Sequence, residues 1–338
     1  MAFDGRTFVT RRFVSLLFGL GTVAALGLVP LGAAGDSFSR VYVNGVPVPV
    51  SFNDGDSFRV QAGEFRGAQC RLGGFNTLES FGPAHQWGDF HPYELYINAK
   101  MATLNGRRGT WHCTSDGSTD TYGRVLMDCP DLATDQIRRG LAHAMQIDDT
   151  PSRPAYLRAQ QEAIRERRGM WAHGVPDYVM TSIHSADENP SREWHYNRLV
   201  SVRDGHSESM RHRDTYRECE WVCNEELRVE LGPVREAARR LRADPEIAPH
   251  LADFFNLHLI EFVSRYRRLG ELPEYLTGPA RERVERRLAR EQRAGQLGAT
   301  RTERGSCMIH VPFERRYGQR QASCLRGHGT WHGPGGEH

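Results

Sequence analysis

The sequence predicts an α+β protein, in which a five-stranded OB-type Greek-key β-barrel with packed helices is followed by a mainly α-helical, disulfide-containing domain. Two observations support this prediction. In the first half, short segments that alternate apolar and polar residues are interrupted by segments of helical spacing. After residue 213, apolar residues recur at helical spacing instead. A chain of 338 residues has room for two such folded units after a leader.

The N-terminus has the order of an export signal. Arg11 and Arg12 precede an apolar run that ends near Val29, and small residues follow. We predict a signal peptide over residues 1–34, with cleavage after Ala34; the two arginines leave the Sec and twin-arginine routes both open. An uncleaved membrane anchor is the alternative, because the apolar run approaches the length that spans a bilayer. Either way the rest of the chain is expected to be exported, with membrane contact only if this segment is retained.

The predicted barrel domain covers residues 36–176. Strands are expected where apolar and polar residues alternate, and helices where apolar residues recur every three or four positions. The predicted strands are 39–50 with a turn at Gly45, 57–61, 69–73, 109–114 and 124–129, the last two forming a hairpin through the polar turn 115–118. The predicted helices are 93–104, 134–145 and 155–168.

The composition changes after Pro176. Residues 177–213 are polar and rich in Ser, His, Arg and Asn, which indicates a linker. Residues 214–325 are predicted to form a helical domain of unknown function, and the Gly- and His-rich tail 326–338 is predicted to be disordered. No internal repeat is apparent.

Charge and cysteine content restrict the interpretation further. The net charge of +2 gives no argument for an anionic partner. Lys100 is the only lysine among 44 basic residues, so the abundance of arginine is weak evidence for nucleic-acid binding.

The seven cysteines lack the short paired spacing of a zinc ribbon or finger, which favours disulfides in an exported protein. Cys219 and Cys223 lie four apart on a predicted helix and would share one face, with Cys307 and Cys324 as partners. A site with four cysteine ligands to a metal is the alternative, disfavoured by export and by the wide spacing.

Four short elements in the first half carry the chemical signal. They are Asp-Gly-Asp-Ser at 54–57, Arg71, Asn-Thr-Leu-Glu at 76–79 and Thr-Tyr-Gly-Arg at 121–124. In this order and spacing the chain resembles the staphylococcal nuclease (thermonuclease-like) family over about residues 36–176. The segments 139–142, 156–157 and 169–171 are also similar to the closing helices of that family.

The resemblance implies a calcium site. Asp56 would bind the ion through its carboxylate and Thr77 through its backbone carbonyl, while Asn76 occupies the position usually held by a second aspartate. Calcium accepts several oxygen ligands in loose geometry, and its affinity depends on how many ligands are charged. Asn76 keeps an oxygen but removes one charge, so we expect weaker binding. Leu78 replaces the usual proline and removes no functional group.

The resemblance also implies the catalytic groups. Glu79 would act as general base or orient the attacking water, and Arg71 and Arg124 would stabilise the five-coordinate phosphorus, since a planar guanidinium fork matches phosphate geometry. Tyr122 would lie near the nucleotide. By analogy with the family, the 5′-oxygen leaves and the product carries a 3′-phosphate.

The resemblance also predicts how cysteines of this domain pair, and two histidines of the domain are considered with them. Cys113 and Cys129 would face inward on the two strands of the predicted hairpin, so a disulfide between them is expected, with two buried thiols as the alternative. Cys70 would then remain unpaired. His85 and His91 are expected to be exposed loop residues, with substrate contact or adventitious metal binding as the alternative.

The sequence therefore predicts an exported, calcium-dependent nuclease that acts on DNA or RNA, with single strands preferred and no stable protein partner. A non-catalytic nucleic-acid- or protein-binding module of the same fold is the first alternative, and an envelope structural protein is the second. The sequence does not distinguish DNA from RNA, or endonuclease from exonuclease action.

Overall fold

Fifteen strands and six α-helices form a mixed α+β fold in the described part of the chain. The structure is a computed structural model that describes residues 40–312, 315, 322–325 and 333–334. The predicted signal segment, and all of the predicted disordered tail except residues 333 and 334, lie outside the described residues. No helix among the described residues has both the length and the apolar character needed to cross a bilayer.

The element bounds are as follows. The strands are β1 (Arg40–Val43), β2 (Val46–Val48), β3 (Val50–Asp54), β4 (Ser57–Val60), β5 (Gln69–Leu72), β6 (Phe75–Thr77), β7 (His85–Gln86), β8 (Thr110–Cys113), β9 (Val125–Met127), β10 (Ala142–Ala144), β11 (Tyr178–Ser182), β12 (His195–Ser201), β13 (Ser207–His212), β14 (Trp221–Val229) and β15 (Thr300–Ile309). The helices are α1 (Pro92–Gly106), α2 (Pro130–Arg138), α3 (Pro154–Arg165), α4 (Leu231–Ala243), α5 (Asn256–Leu269) and α6 (Gly278–Arg293).

Three small sheets make up the first half. Their strand orders are β2-β1-β8, β3-β4-β5-β9 and β10-β6. The alternating apolar residues of these strands, such as Val41, Phe52, Phe58 and Leu72, all point into one buried core that α2 and α3 complete. The pairing of the described strands does not close a barrel.

The predicted hairpin between residues 109 and 129 is wrong. β8 pairs in parallel with β1, and β9 pairs in parallel with β5, so the two strands belong to different sheets. The segments that continue these strands meet at an isolated antiparallel bridge between Thr114 and Asp128, beside the disulfide of Cys113 with Cys129. The prediction that residues 134–145 form one helix is also wrong, because α2 ends at Arg138 and the chain turns at Gly140 into β10. Gly140 has φ +68°, and a Cβ there would lie 2.2 Å from the Arg168 carbonyl oxygen, so only glycine fits this close backbone approach.

Residues 177–213 are not a linker, because they contain the antiparallel sheet β11-β12-β13. Tyr178, Met180 and Leu199 of this sheet pack against Val222 and Met308 of the neighbouring sheet. The sequence of β12 does not alternate regularly between apolar and polar residues, because two of its inward positions carry the polar residues His195 and Asn197. Both side chains are buried, and Asn197 Oδ1 accepts a 3.2 Å hydrogen bond from the His184 backbone N–H.

The region 214–325 is less helical than predicted. β14 and β15 form a long antiparallel pair, and α4, α5 and α6 then pack around a separate core centred on Phe262 and Leu288. Cys219 and Cys223 therefore do not lie on a helix: Cys223 is on β14, and Cys219 precedes that strand with φ +68°.

Three disulfides are present: the predicted pair Cys113–Cys129 is confirmed, and Cys219 and Cys223 bond to the two candidate partners whose pairing the sequence left open. They join Cys113 to Cys129, Cys219 to Cys324 and Cys223 to Cys307, while Cys70 is free and buried. Such bonds are compatible with an extracellular protein.

The two halves share a sheet and a core. β7, from the first half, is the third strand of the β14-β15-β7 sheet, with His85 opposite Met308 and Gln86 opposite Cys307. Trp87 also packs in one buried cluster with Val179 of β11. The chain from residue 37 onward accordingly forms one compact unit.

Candidate active site

The turn between β3 and β4 is packed closely against its surroundings. Asp54 and Asp56 flank Gly55, where a Cβ would lie 2.6 Å from Thr77 Cγ2 and 2.7 Å from Ala102 Cβ. Glycine is therefore required at this turn for steric reasons. Its absent side chain allows the carboxylate of Asp56 to lie directly beside the backbone of Thr77.

A closed hydrogen-bond network joins three of the predicted motifs. Arg71 Nη1 donates to Asp56 Oδ1 at 2.6 Å, and Arg71 Nη2 donates to Asn76 Oδ1 at 2.6 Å. The backbone N–H of Thr77 donates to Asp56 Oδ2 at 2.8 Å, and Asn76 Nδ2 donates to the Thr77 carbonyl oxygen at 2.8 Å. Asp56, Asn76 and Thr77 are all buried, and charge-assisted hydrogen bonds of this kind are the strong ones. The structure thus brings the three predicted calcium ligands and one predicted catalytic arginine together.

Two further acidic residues, Asp54 and Glu79, interact electrostatically with the network. Burial raises the pKa of Asp54 well above its ordinary value, and the neighbouring carboxylates of Asp56 and Glu79 raise it further. Burial lowers the pKa of Arg71, but Asp56, Asp54 and Glu79 together raise it above the ordinary value. Three carboxylates therefore act electrostatically on one guanidinium.

The donor chemistry of this cluster fits calcium. It offers carboxylates, the amide oxygen of Asn76 and the carbonyl oxygen of Thr77, and hard cations prefer such oxygen ligands. Among the described residues no group of three or more His, Cys, Asp or Glu side chains could hold a metal ion. Any site here therefore depends on Asn76 and the Thr77 carbonyl in addition to carboxylates.

Arg124 and Tyr122 precede β9, the strand that pairs with Arg71 of β5. Leu126 is the pairing partner of Arg71, and strand alternation places Arg124 on the same face of the sheet. The Arg124 guanidinium, however, pairs with Asp120 at 2.7 Å and lies 5.5 Å from the Tyr122 ring centroid. Tyr122 is 72% exposed, so its ring is available for stacking. Within residues 40–312, the Arg124 guanidinium has no hydrogen bond to the Arg71 network.

Contacts with α1 and β15 fix the two ends of the loop that follows Glu79. Lys100 on α1 donates a hydrogen bond from Nζ to the Ser80 carbonyl oxygen, and its Nζ lies 4.3 Å from the Phe81 ring centroid. At the other end, β7 pairs with β15. Since Glu79 directly precedes this loop, both contacts restrict where its carboxylate can lie.

The two histidines of this loop differ in environment. His85 is 2% exposed, so the prediction that it is an exposed loop residue is wrong; its Nε2 lies 3.5 Å from the Glu79 backbone nitrogen. Burial, together with nearby His143, lowers the pKa of His85 to about 3, which keeps the imidazole neutral. His91 is exposed, as predicted, and caps α1 by accepting a 3.2 Å hydrogen bond from the Tyr93 N–H.

Three residues in or beside the cluster received no predicted role from the sequence. Asp54 belongs to the same turn as Asp56 and could have been included on that ground. Lys100 could have been singled out because it is the only lysine. His143, whose Nε2 lies 3.4 Å from Asn76 Nδ2, gives no motif signal, because it reaches the cluster through the pairing of β10 with β6.

No protein-family model matches the chain, and no curated protein matches it either. The argument for function therefore depends on the geometry and chemistry of the cluster itself.

Proposed function

We propose that this protein is an exported, calcium-dependent nuclease that hydrolyses phosphodiester bonds of DNA, RNA or both. The observation that carries the proposal is the network of Asp56, Arg71, Asn76 and Thr77, to which Glu79 is coupled electrostatically. These side chains come from three separate motifs, and they are the groups that phosphodiester hydrolysis requires: oxygen ligands, a guanidinium fork and a carboxylate base.

The chain's own residues divide the work as follows. Asp56, Asn76 and the Thr77 carbonyl would hold calcium, which supplies positive charge to the non-bridging oxygens. Arg71 would exchange its hydrogen bonds to Asp56 and Asn76 for bonds to a phosphate oxygen pair. Glu79 would accept a proton from the attacking water. In line with the motif resemblance, the 5′-oxygen leaves and a 3′-phosphate remains.

Arg124 and Tyr122 would join the site when substrate binds. Arg124 lies on the face of Arg71 and would exchange Asp120 for phosphate, because a dianionic transition state attracts a guanidinium more strongly than one carboxylate does. The exposed Tyr122 ring would stack on a base.

The same proposal includes the fold and the location. An OB-type barrel is supported by the single core that the sheets β2-β1-β8 and β3-β4-β5-β9 share. Export is supported by the N-terminal sequence and by the three disulfides.

A binding module without turnover is the second candidate. The observation in its favour is that both arginines already have carboxylate partners, Asp56 for Arg71 and Asp120 for Arg124. In such a protein these ion pairs would persist when nucleic acid binds.

The test is digestion of a labelled single-stranded oligonucleotide with millimolar calcium, and again with a chelator. We expect cleavage only with calcium, and a loss of about 10²–10⁴-fold in kcat for Glu79→Gln. Glu64→Gln, at an exposed glutamate away from the network, serves as the matched control and should retain full activity. Intact substrate at millimolar calcium would refute the nuclease and favour the binding module.

A further inference from the structure

The outer face of β12 and β13 places aromatic rings opposite arginines. In β12, His195 and Asn197 point inward and are buried, whereas Tyr196 and Arg198 point outward. Tyr196 pairs with Arg211 of β13. Side chains of directly paired residues project from the same face of a sheet, so Arg211 and Tyr196 occupy neighbouring positions on this face.

The pattern is repeated at the end of the two strands. Arg213 lies over the ring of Trp194 at 4.0 Å from the centroid, and Trp194 is 46% exposed. The Arg198 guanidinium lies 5.7 Å from the Tyr196 ring centroid. Alternate positions along a strand are about 6.7 Å apart. The surface therefore presents two aromatic rings at successive rows, each with an arginine beside it.

The charge of this face is positive and almost uncompensated. Of Arg192, Arg198, Arg211 and Arg213, only the last has a carboxylate partner among the described residues, Glu193 at 3.3 Å. Both members of that pair are exposed, so water and salt screen it and a phosphate could replace Glu193. The arrangement, rather than the number of arginines in the chain, indicates an anionic partner.

A small cavity of about 50 Å³ lies next to Tyr196. His195 lines it, is 6% exposed, and its Nε2 has no hydrogen-bond partner among the described residues. A buried polar atom without a partner is costly, and a polar group of a ligand could satisfy it. The Glu188 carboxylate in the same cavity is already held by His310 at 3.1 Å and lies 3.8 Å from His184. The lining residues are His184, Glu188, Asn189, Arg192, His195 and Tyr196.

We propose that this face, defined by Arg192, Trp194, Tyr196, Arg198, Arg211 and Arg213, binds single-stranded polynucleotide at a site separate from the Arg71 network. Unpaired bases expose rings that stack on aromatic side chains, and their phosphates pair with arginine, whereas a duplex keeps its bases stacked inside. Neither contact reads the 2′-hydroxyl, so the partner is defined by its single-stranded form. The inference rests on the proposed function in one respect: it gives the nuclease a second substrate contact, in the half of the chain that the motif resemblance does not cover.

The experiment measures binding without cleavage. The full-length protein carrying Glu79→Gln is titrated in chelator against a fluorescein-labelled oligothymidylate of about 15 nucleotides, and Kd is read by fluorescence anisotropy at several salt concentrations. We expect Trp194→Ala and Tyr196→Ala each to weaken binding by about tenfold or more. Arg211→Ala should lower the slope of log Kd against log salt by about 0.7, the value for one phosphate contact on a single strand.

Matched controls are available on α4 and before α5. Arg235→Ala removes an exposed arginine and Phe255→Ala an exposed ring, and both should leave Kd and the salt slope unchanged. Circular dichroism of every variant verifies that it is folded. Unchanged affinity in the folded Trp194 and Arg211 variants, or no binding by the parent protein, would overturn the proposal. The proposal would also be overturned if these variants lost binding to anionic lipid vesicles but still bound the oligonucleotide with the affinity of the parent protein.

The two proposals fail separately. Calcium-dependent cleavage of a dinucleotide, which is too short to bridge two sites, tests the Arg71 network alone. If the dinucleotide is cleaved but the face variants bind the oligonucleotide normally, the surface proposal fails and the nuclease stands. If the oligonucleotide binds through this face and no substrate is cleaved, the nuclease fails and the surface stands.

Discussion

Asn76→Asp tests the metal site most directly, because the structure gives each contact that the substitution changes. Asn76 Oδ1 accepts the hydrogen bond from Arg71, and a carboxylate oxygen would keep it. Asn76 Nδ2 donates to the Thr77 carbonyl oxygen at 2.8 Å, and a carboxylate oxygen in its place would face that carbonyl with no proton between them. One hydrogen bond is lost and two buried acceptors oppose each other.

The magnitude follows from those contacts. Losing the hydrogen bond costs about 1 kcal/mol, and leaving buried acceptors unpaired adds about 1–3 kcal/mol. Without calcium, the free energy of unfolding should therefore fall by about 2–4 kcal/mol. In the proposed calcium site the two opposed oxygens would both serve as ligands and the site would gain one negative charge, so Kd for calcium should fall by at least about tenfold, or about 1.4 kcal/mol.

The assay combines urea unfolding with calorimetric titration of calcium. The substitution should lower the urea midpoint in chelator, and millimolar calcium should raise the midpoint of the variant more than that of the unsubstituted protein. Gln61→Glu, at an exposed loop residue, controls for the added charge. Equal calcium affinity in Asn76→Asp and the parent protein would refute the view that charge count limits this site.

Three further predictions concern residues around the site and in the second half. Lys100→Met removes the hydrogen bond to Ser80 and should lower kcat severalfold with little change in KM, while Lys100→Arg should restore most of the rate; a normal rate in Lys100→Met would exclude a positioning role. Cys223→Ser with Cys307→Ser removes one disulfide while the enclosing Cys219–Cys324 bond remains, so only the short loop between the two bonds is released and the cost should be about 3 kcal/mol of stability, measured by urea unfolding, with an unchanged midpoint as the contrary result. Burial lowers the pKa of His206, but Asp204 and Glu208 raise it to about 10, above its unfolded value of about 6.5. The resulting stabilisation is complete below pH 6.5 and is lost as pH rises through about 10, so the urea midpoint should fall over that window, and His206→Gln should flatten the dependence.

Local features of the candidate site could be predicted from sequence. The Asp-Gly-Asp turn follows from glycine between two strands, and the carboxylates, amide and arginine of the network are all present in the motifs. α1 could be predicted because its apolar spacing is regular and Pro92 and Glu94 lie in its first turn. These features depend on neighbours in the chain, which a sequence displays directly.

Pairing between distant strands could not be predicted in the same way. β7 has only two residues, too few to show any alternation, yet it pairs with β15 more than 200 residues later. The sequence of β11-β12-β13 has the polar composition of a linker because its inward positions include His195 and Asn197, and the contacts that bury these two residues arise only in the fold. Likewise, the polar turn at residues 115–118 favours a hairpin, whereas β9 pairs in parallel with β5.

These long-range contacts change how the second half should be understood. Glu79 begins a loop whose far end, β7, is a strand of the β14-β15-β7 sheet, and Cys307, opposite Gln86, is bonded to Cys223. Fixing both ends of a loop lowers the number of positions that its residues can occupy, which favours a pre-organised carboxylate. The motifs supply the chemical groups, but the position of Glu79 depends on β15, which begins more than 100 residues after the region of motif resemblance. The second half is therefore best regarded as part of the candidate active site's scaffold, and its effect on the site should be measured in the full chain.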